Sequence, residues 1–222
     1  MASFSFDTVI FDLDGTLADT AFDLAAALNH ALTRMGREAV PTPSVQRLIG
    51  HGARALLRRG LAATGEANED LVEQGMPLFL DFYATNICVG TKIYPDLESA
   101  LDALRARGLR IGICTNKLES LTMKLVEALG WQDRFDAIVC GDTLPVRKPD
   151  PAPLREAIAR AGGQSGILVG DSITDADTAR AAGLPFVAVS FGFSDRPVDQ
   201  LGADVVIHGY VDLVPALQKL ER

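Results

Sequence analysis

Asp12 and Asp14 stand two positions apart in the stretch Thr8-Val9-Ile10-Phe11-Asp12-Leu13-Asp14-Gly15-Thr16-Leu17. Ionised carboxylates this close repel one another and are costly beside an apolar core, so a divalent cation with oxygen ligands is the economical counter-charge. Gly15 lets the backbone turn or approach a ligand closely, and Thr16 adds a hydroxyl. A calcium hand also opens on Asp-x-Asp, but its sixth loop position requires glycine and here holds Leu17. A solvated turn after an ordinary strand tolerates the same residues, so the remainder of the chain has to decide.

Further along come Thr115 and Asn116, then Lys148, then Asp171 and Asp175. Each has a plain reading alone: a strand-end hydroxyl, a surface lysine, a loop acid capping the next helix. Together they describe a site for a metal and a phosphate. Asp12 and Asp171 can supply charged oxygen ligands to Mg2+, with waters and a carbonyl completing an octahedron. Asp175, four residues after Asp171 in the first turn of a helix, can hold a metal-bound water or orient Lys148. Thr115 and the amides at 115–117 suit the non-bridging phosphate oxygens, and Lys148 would offset charge in the transition state. Asp12 could attack phosphorus to give an aspartyl-phosphate, with Asp14 protonating the leaving oxygen and then activating water.

Such residues need a scaffold that brings them to one rim. Thr8–Phe11 reads as a buried parallel strand, because it is β-branched or aromatic throughout. Helical spacing of apolar residues predicts helices over 19–37, 48–61 and 71–83, the last broken at Gly75 and Pro77, with Pro41 and Pro43 marking a turn. No strand is predicted between 18 and 87. From Tyr94 helices and strands alternate: helix 96–107, strand 109–114, helix 118–129, strand 136–140, helix 152–161, strand 167–169, helix 174–182, strands 186–190 and 204–207, helix 210–219. Repeated βα units imply an α/β fold with an open, mostly parallel, Rossmann-like sheet and helices on both faces. The helical block at 18–87 reads as a small cap inserted after the first strand, leaving 1–17 and 88–222 as the core domain. In such sheets ligands bind beyond the carboxyl ends of the strands, where Asp12, Asp14, Thr115, Asn116, Lys148, Asp171 and Asp175 fall.

The 222 residues are enough to bury a sizeable core, and 48% hydrophobic with 23% charged residues is ordinary for a globular chain. A net charge of −8 argues against general nucleic-acid or membrane-surface binding. Apolar runs are shorter than a membrane span and the Met1–Asp7 stretch lacks the features of a secretory signal, which predicts a cytoplasmic protein. Cys88, Cys114 and Cys140 show no CxxC spacing, so neither a disulfide framework nor a zinc site is suggested. The expected partner is a small phosphate ester, and the chain could be a monomer or a homodimer.

The strings Asp12-Leu13-Asp14-Gly15-Thr16-Leu17, Cys114-Thr115-Asn116, Lys148-Pro149 and Gly170-Asp171-Ser172-x-x-Asp175 resemble, in order, the four motifs of the haloacid dehalogenase superfamily. The resemblance implies Asp12 as nucleophile, Asp14 as acid and base, phosphate contacts from Thr115, Asn116 and Lys148, and Mg2+ on Asp12, Asp171 and the carbonyl of Asp14. Dehalogenases of the superfamily lack an acid at the position of Asp14, so phosphoryl transfer is implied. Within it, the chain is similar to bacterial phosphoglycolate phosphatases through Ile49-Gly50-His51-Gly52, Tyr94-Pro95, Thr115-Asn116-Lys117 and the segment from Gly141 to Pro151. Related sugar-phosphate and amino-sugar-phosphate phosphatases carry similar strings. A sugar phosphomutase and a non-catalytic phosphate sensor are the rival readings. His51 and Arg54 could face a substrate carboxylate, although cap helices expose such residues routinely. Gly50-x-Gly52-x-x-Ala55 imitates a dinucleotide fingerprint but does not follow a strand, and His30 and His208 carry no specific signal.

Overall fold

The computed structural model describes residues 4–194 and 196–220, so Met1–Ser3 of the N-terminal stretch considered above lie outside the described residues. Six parallel strands form one sheet in the order β5-β4-β1-β6-β7-β8. They are β1 (Thr8–Phe11), β4 (Arg110–Cys114), β5 (Ala137–Val139), β6 (Gly166–Gly170), β7 (Phe186–Val189) and β8 (Val205–Ile207). Phe11 is level with Ile113 on one side and Val169 on the other. This register sets Asp12 one residue, and Thr115 and Asp171 two residues, beyond a common line at the carboxyl edge. Three strand ends thereby present chemistry to one rim.

Alternation along the buried strands divides the core in two. Val9, Phe11, Ile111, Ile113, Ile167 and Val169 face α5 (Leu97–Arg105), α6 (Glu119–Ala128) and α9 (Leu213–Lys219). Ile10, Leu168, Phe186 and Ala188 face α7 (Ala152–Arg160) and α8 (Ile173–Ala182). Successive side chains of a strand point to opposite faces, so apolar residues without a break require helices on both sides.

Between β1 and α5 lie α1 (Ala21–Arg34), α2 (Thr42–Gln46), α3 (Ala53–Ala63) and α4 (Glu69–Thr85), whose apolar faces make a separate cluster around Leu28, Leu57, Leu61 and Phe79. Three sequence expectations are corrected here. The helix expected over 48–61 begins only at Ala53, because Gly50 and Gly52 take positive φ values of 109° and 82°; Thr42-Pro43 starts a short helix instead, proline being tolerated in a first turn. Helix α4 runs unbroken through Gly75 and Pro77. Pro77 is exposed and the carbonyl it leaves unpaired, that of Glu73, sits on the solvent side, while the stripe Val72, Gly75, Phe79 and Tyr83 is buried. Gly75 is a close-approach residue, since a Cβ there would come within 2.9 Å of Leu57. Finally, Ala18–Asp19 (β2) pairs antiparallel with Lys92–Ile93 (β3) at the root of the block, a ladder too short for periodicity to reveal.

At that root, buried Asp23 of α1 accepts hydrogen bonds from the backbone N–H groups of Val89 (3.1 Å), Gly90 (2.9 Å) and Thr91 (2.9 Å) and from the Thr91 hydroxyl (2.7 Å). Asp23→Ala would strand these donors at a cost of about 2–3 kcal/mol. The thermal midpoint should fall by about 5–10 °C in a chain this size; an unchanged melting curve would show that the clamp carries no weight.

Candidate active site

The rim prepared by the sheet is occupied by a dense charge cluster. Asp12, whose N–H bonds to the Val169 carbonyl at 2.9 Å, places Oδ1 3.0 Å from Lys148 Nζ. Lys148 lies 2.6 Å from Asp175 Oδ1. The other Asp175 oxygen accepts from the Ser172 N–H (3.1 Å) and hydroxyl (2.6 Å), closing a capping box at the start of α8. Local helix chemistry therefore fixes Asp175, and Asp175 aims Lys148. Asp171 accepts from Thr16 Oγ1 (3.0 Å) and from the Phe193 N–H (2.6 Å). Gly15 and Gly192 press against it so closely that a Cβ on either would overlap its carboxylate.

Asp12, Asp171 and Asp175 are all buried and each offers an oxygen within 4.8 Å of the others. Burial, with the Asp175 and Asp14 charges assisting and Lys148 opposing, pushes the Asp12 carboxyl up to about 6. Burial, then the Asp175 and Asp12 charges, pushes Asp171 well above the ordinary range. For Lys148 burial works against the ammonium, but Asp12 and Asp175 outweigh it and raise its pKa. With Asp14 and Lys117 included, the ionised cluster holds four carboxylates against two ammonium groups, leaving two negative charges in a buried place. Three converging hard oxygens with that residual charge fit a divalent cation.

The carboxylate of Asp14 faces elsewhere. Its Oδ1 accepts from Thr20 Oγ1 at 2.8 Å and from Lys117 Nζ at 2.9 Å. Lys117 is buried and also donates to the Tyr83 hydroxyl of α4 at 2.6 Å, with its ammonium 4.5 Å from that ring's centre. Burial and the nearby Asp14 charge hold the Tyr83 phenol well above its usual pKa and so neutral. The Thr115 hydroxyl accepts from the Lys117 N–H at 3.2 Å, and Asn116 Nδ2 donates to the Lys148 carbonyl at 3.0 Å. That bond orients the amide and leaves Asn116 Oδ1 buried without a hydrogen bond among the described residues. Cys114, beneath the cluster, is held as a thiol by burial, its pKa pushed up to about 12.

Above Asp12, Asp14, Thr115, Asn116 and Lys117 lies a cavity lined on its far side by Ile49, Leu56, Phe79 and Tyr83 of the helical block. The structure thus gathers Asp12, Asp14, Thr115, Asn116, Lys148, Asp171 and Asp175 at one place. It does not bring Arg54 there: that guanidinium pairs with Glu69 at 2.8 Å and Glu73 at 2.6 Å on the outside of the block. His51 sits between two lining glycines but is not among the described residues that line the cavity. Lys117, Tyr83, Thr20 and Phe193 were not foreseen as contributors. Lys117 was at least visible in the sequence as a cation beside Thr115-Asn116.

The charge cluster predicts a pH-dependent response to cation. An Asp12 pKa raised above the ordinary 3.8 means that ionisation costs folding stability, a cost that grows as pH rises through about 6. A bound cation removes that cost only where the carboxylates are ionised. A divalent cation at a fixed concentration, a hundredfold above Kd where the carboxylates are ionised, should therefore add about 2.7 kcal/mol to stability there, and progressively less as acidification protonates Asp171 and Asp12. Differential scanning fluorimetry with and without Mg2+ across this range checks the sign; an increment that grew on acidification would contradict it.

The family model of haloacid dehalogenase-like hydrolases matches residues 9–189. The chain is 41% identical over 214 residues to a phosphoglycolate phosphatase of Caulobacter vibrioides, covering 94% of this chain and 90% of the relative. It is 44% identical over 203 residues to a phosphoglycolate phosphatase of Mesorhizobium japonicum, covering 90% and 89%. A solved structure described as a predicted phosphoglycolate phosphatase from Haemophilus somnus 129pt superposes with a TM-score of 0.88 at 29% identity, covering 95% of this chain and 97% of that one. The sheet order, the acids at its carboxyl edge and these likenesses agree: the chain belongs to the haloacid dehalogenase-like hydrolases.

Proposed function

We propose that the protein is a Mg2+-dependent phosphatase that hydrolyses a small phosphate monoester, 2-phosphoglycolate, to glycolate and phosphate through an aspartyl-phosphate on Asp12. The observation that carries this reading is the convergence of Asp12, Asp171, Asp175 and Lys148 on one buried rim beside a cavity. The names of the relatives at 41% and 44% identity support the choice of ester. Asp12, Asp171 and the Asp14 carbonyl would hold the cation. When bound, it neutralises phosphoryl charge and aligns the group for in-line displacement.

The chain's own residues do the rest. Thr115 and Asn116 grip phosphoryl oxygens while an Asp12 oxygen attacks phosphorus and the bond from phosphorus to the ester oxygen breaks. Asp14 would pass a proton to the departing alkoxide and then take one from the water that attacks the phosphoenzyme, restoring Asp12 and releasing phosphate. Lys148, pinned by Asp175, counters the charge that builds on the phosphoryl oxygens. The block at 18–87 serves as a cap that keeps bulk water off the cavity, over a core of 1–17 and 88–222. All three cysteines are free, as suits a reducing cytoplasm.

A panel of phosphate esters assayed with Mg2+ and again with a chelator tests the proposal. Phosphate and alcohol should appear in equal amounts, with the highest specificity constant for 2-phosphoglycolate and no turnover after chelation. Isomerised sugar phosphate without free phosphate would favour a mutase, and saturable binding without turnover of any ester would favour a sensor.

A further inference from the structure

Lys117 makes or breaks no bond in the steps just outlined, although it pairs with Asp14, and it lines the cavity where substrate would lie. An ammonium taken from water is costly unless paired, and long flexible lysines are rarely placed so without a task. Asp14 accepts from it through both oxygens, at 2.9 and 3.2 Å, and the Tyr83 hydroxyl accepts at 2.6 Å, which fixes the ammonium at the cavity wall. Among the described residues lining the cavity Lys117 is the one cation. It also follows Thr115 by two residues, so it faces the same small space as the phosphate grip.

We propose that Lys117, held by Tyr83, is the residue that recognises a carboxylate on the substrate, and that this contact selects small phosphorylated acids over neutral esters. The assignment rests on the phosphatase reading above, because Thr115 and Lys148 must take the phosphate end. A single ammonium matches a monoanion such as a carboxylate and falls short of a second phosphate. The opposite wall, with Leu24, Ile49, Leu56 and Phe79, offers apolar contact and no partners for the hydroxyls of a sugar. Arg54, the cation on α3 that the sequence offered for this role, is held instead by Glu69 and Glu73.

Two phosphonates that cannot be hydrolysed test the idea on the full-length protein in Mg2+ buffer. 3-Phosphonopropionate keeps the carboxylate, and propylphosphonate replaces it with a methyl group. By calorimetry the wild type should bind the first about 100-fold more tightly than the second, the scale of a buried charge-assisted hydrogen bond. Lys117→Met should collapse this ratio to about 3-fold or less, and comparing two ligands on one variant cancels any change at the phosphate end. Tyr83→Phe, which removes only one hydroxyl, should lower the ratio to about 10-fold and keeps the test open if Lys117→Met does not fold. Arg54→Met should retain the wild-type ratio.

A wild-type ratio near one, no binding of either phosphonate, or a ratio that survives both Lys117→Met and Tyr83→Phe would overturn the assignment. An intact ratio with no hydrolysis of 2-phosphoglycolate would instead overturn the phosphatase reading and leave the recognition of an acid standing.

Discussion

Asp12→Asn is expected to lower phosphate release by about four orders of magnitude or more, because an amide takes the place of the carboxylate proposed above to attack phosphorus. The change is nearly isosteric at a fully buried position, and Asp175 stays 2.6 Å from Lys148 to hold it. The fold should survive, with a thermal midpoint within a few degrees of wild type. It also removes one of the mutually repelling carboxylates of the cluster, so the variant should gain less from an added divalent cation. The decisive measurement is the single-turnover burst of alcohol on mixing with ester. Wild type should show the burst and Asp12→Asn none; a burst of wild-type size would end the assignment of Asp12 as nucleophile.

Lys148→Met is expected to damage both activity and stability. Its ammonium stands between Asp12 and Asp175 at 3.0 and 2.6 Å, with all three side chains almost wholly out of solvent. Removing one partner from a buried ion pair costs about 3–5 kcal/mol, because the opposite charge is left without compensation. At about 2–4 °C per kcal/mol the midpoint should drop by about 10 °C at neutral pH. The loss should shrink on acidification toward pH 6, where Asp12 takes up a proton and no longer needs a counter-charge. Turnover should fall by about a thousandfold, the scale seen on removing a group that stabilises transition-state charge. A melting curve matching wild type at pH 7.5 would mean that the pair is not the keystone that the distances suggest.

The sheet and its rim were legible because their signals are local. Val9–Phe11 is apolar without alternation, which a strand covered on both faces explains, and the acids fall just where such strands end. Parallel register then does the gathering: once Phe11 is level with Ile113 and Val169, no freedom remains in where Asp12, Thr115 and Asp171 arrive. Asp175 was legible for a second reason, since Ser172 and Asp175 have the spacing of a helix cap.

What escaped depends on contacts distant in sequence. Tyr83 is an ordinary member of a helical stripe until α4 is laid against the loop after β4, 34 positions away, where its hydroxyl meets Lys117. Lys117 carries no signal of its own beyond its place in Thr115-Asn116-Lys117. Arg54 looked like a ligand for the mirror reason: its partners Glu69 and Glu73 belong to another helix. Gly75 and Pro77 read as a break since proline forfeits a helix hydrogen bond, whereas tertiary burial of Phe79 and Tyr83 outweighs it. The pair Ala18–Asp19 is too brief for any pattern and exists because Lys92–Ile93 returns beside it.

That returning pair also says how such a molecule can be re-specified. Where Asp19 leaves the sheet and Lys92 comes back, the two backbones run side by side, so everything between them hangs from adjoining ends. A cassette of quite different length or content, spliced across this narrow gap, would leave every strand and every acid of the rim in register. Exchange of one contiguous stretch of gene is then enough to replace the wall that Ile49, Leu56, Phe79 and Tyr83 give the cavity, while Lys117 and the acids of the rim keep their places below.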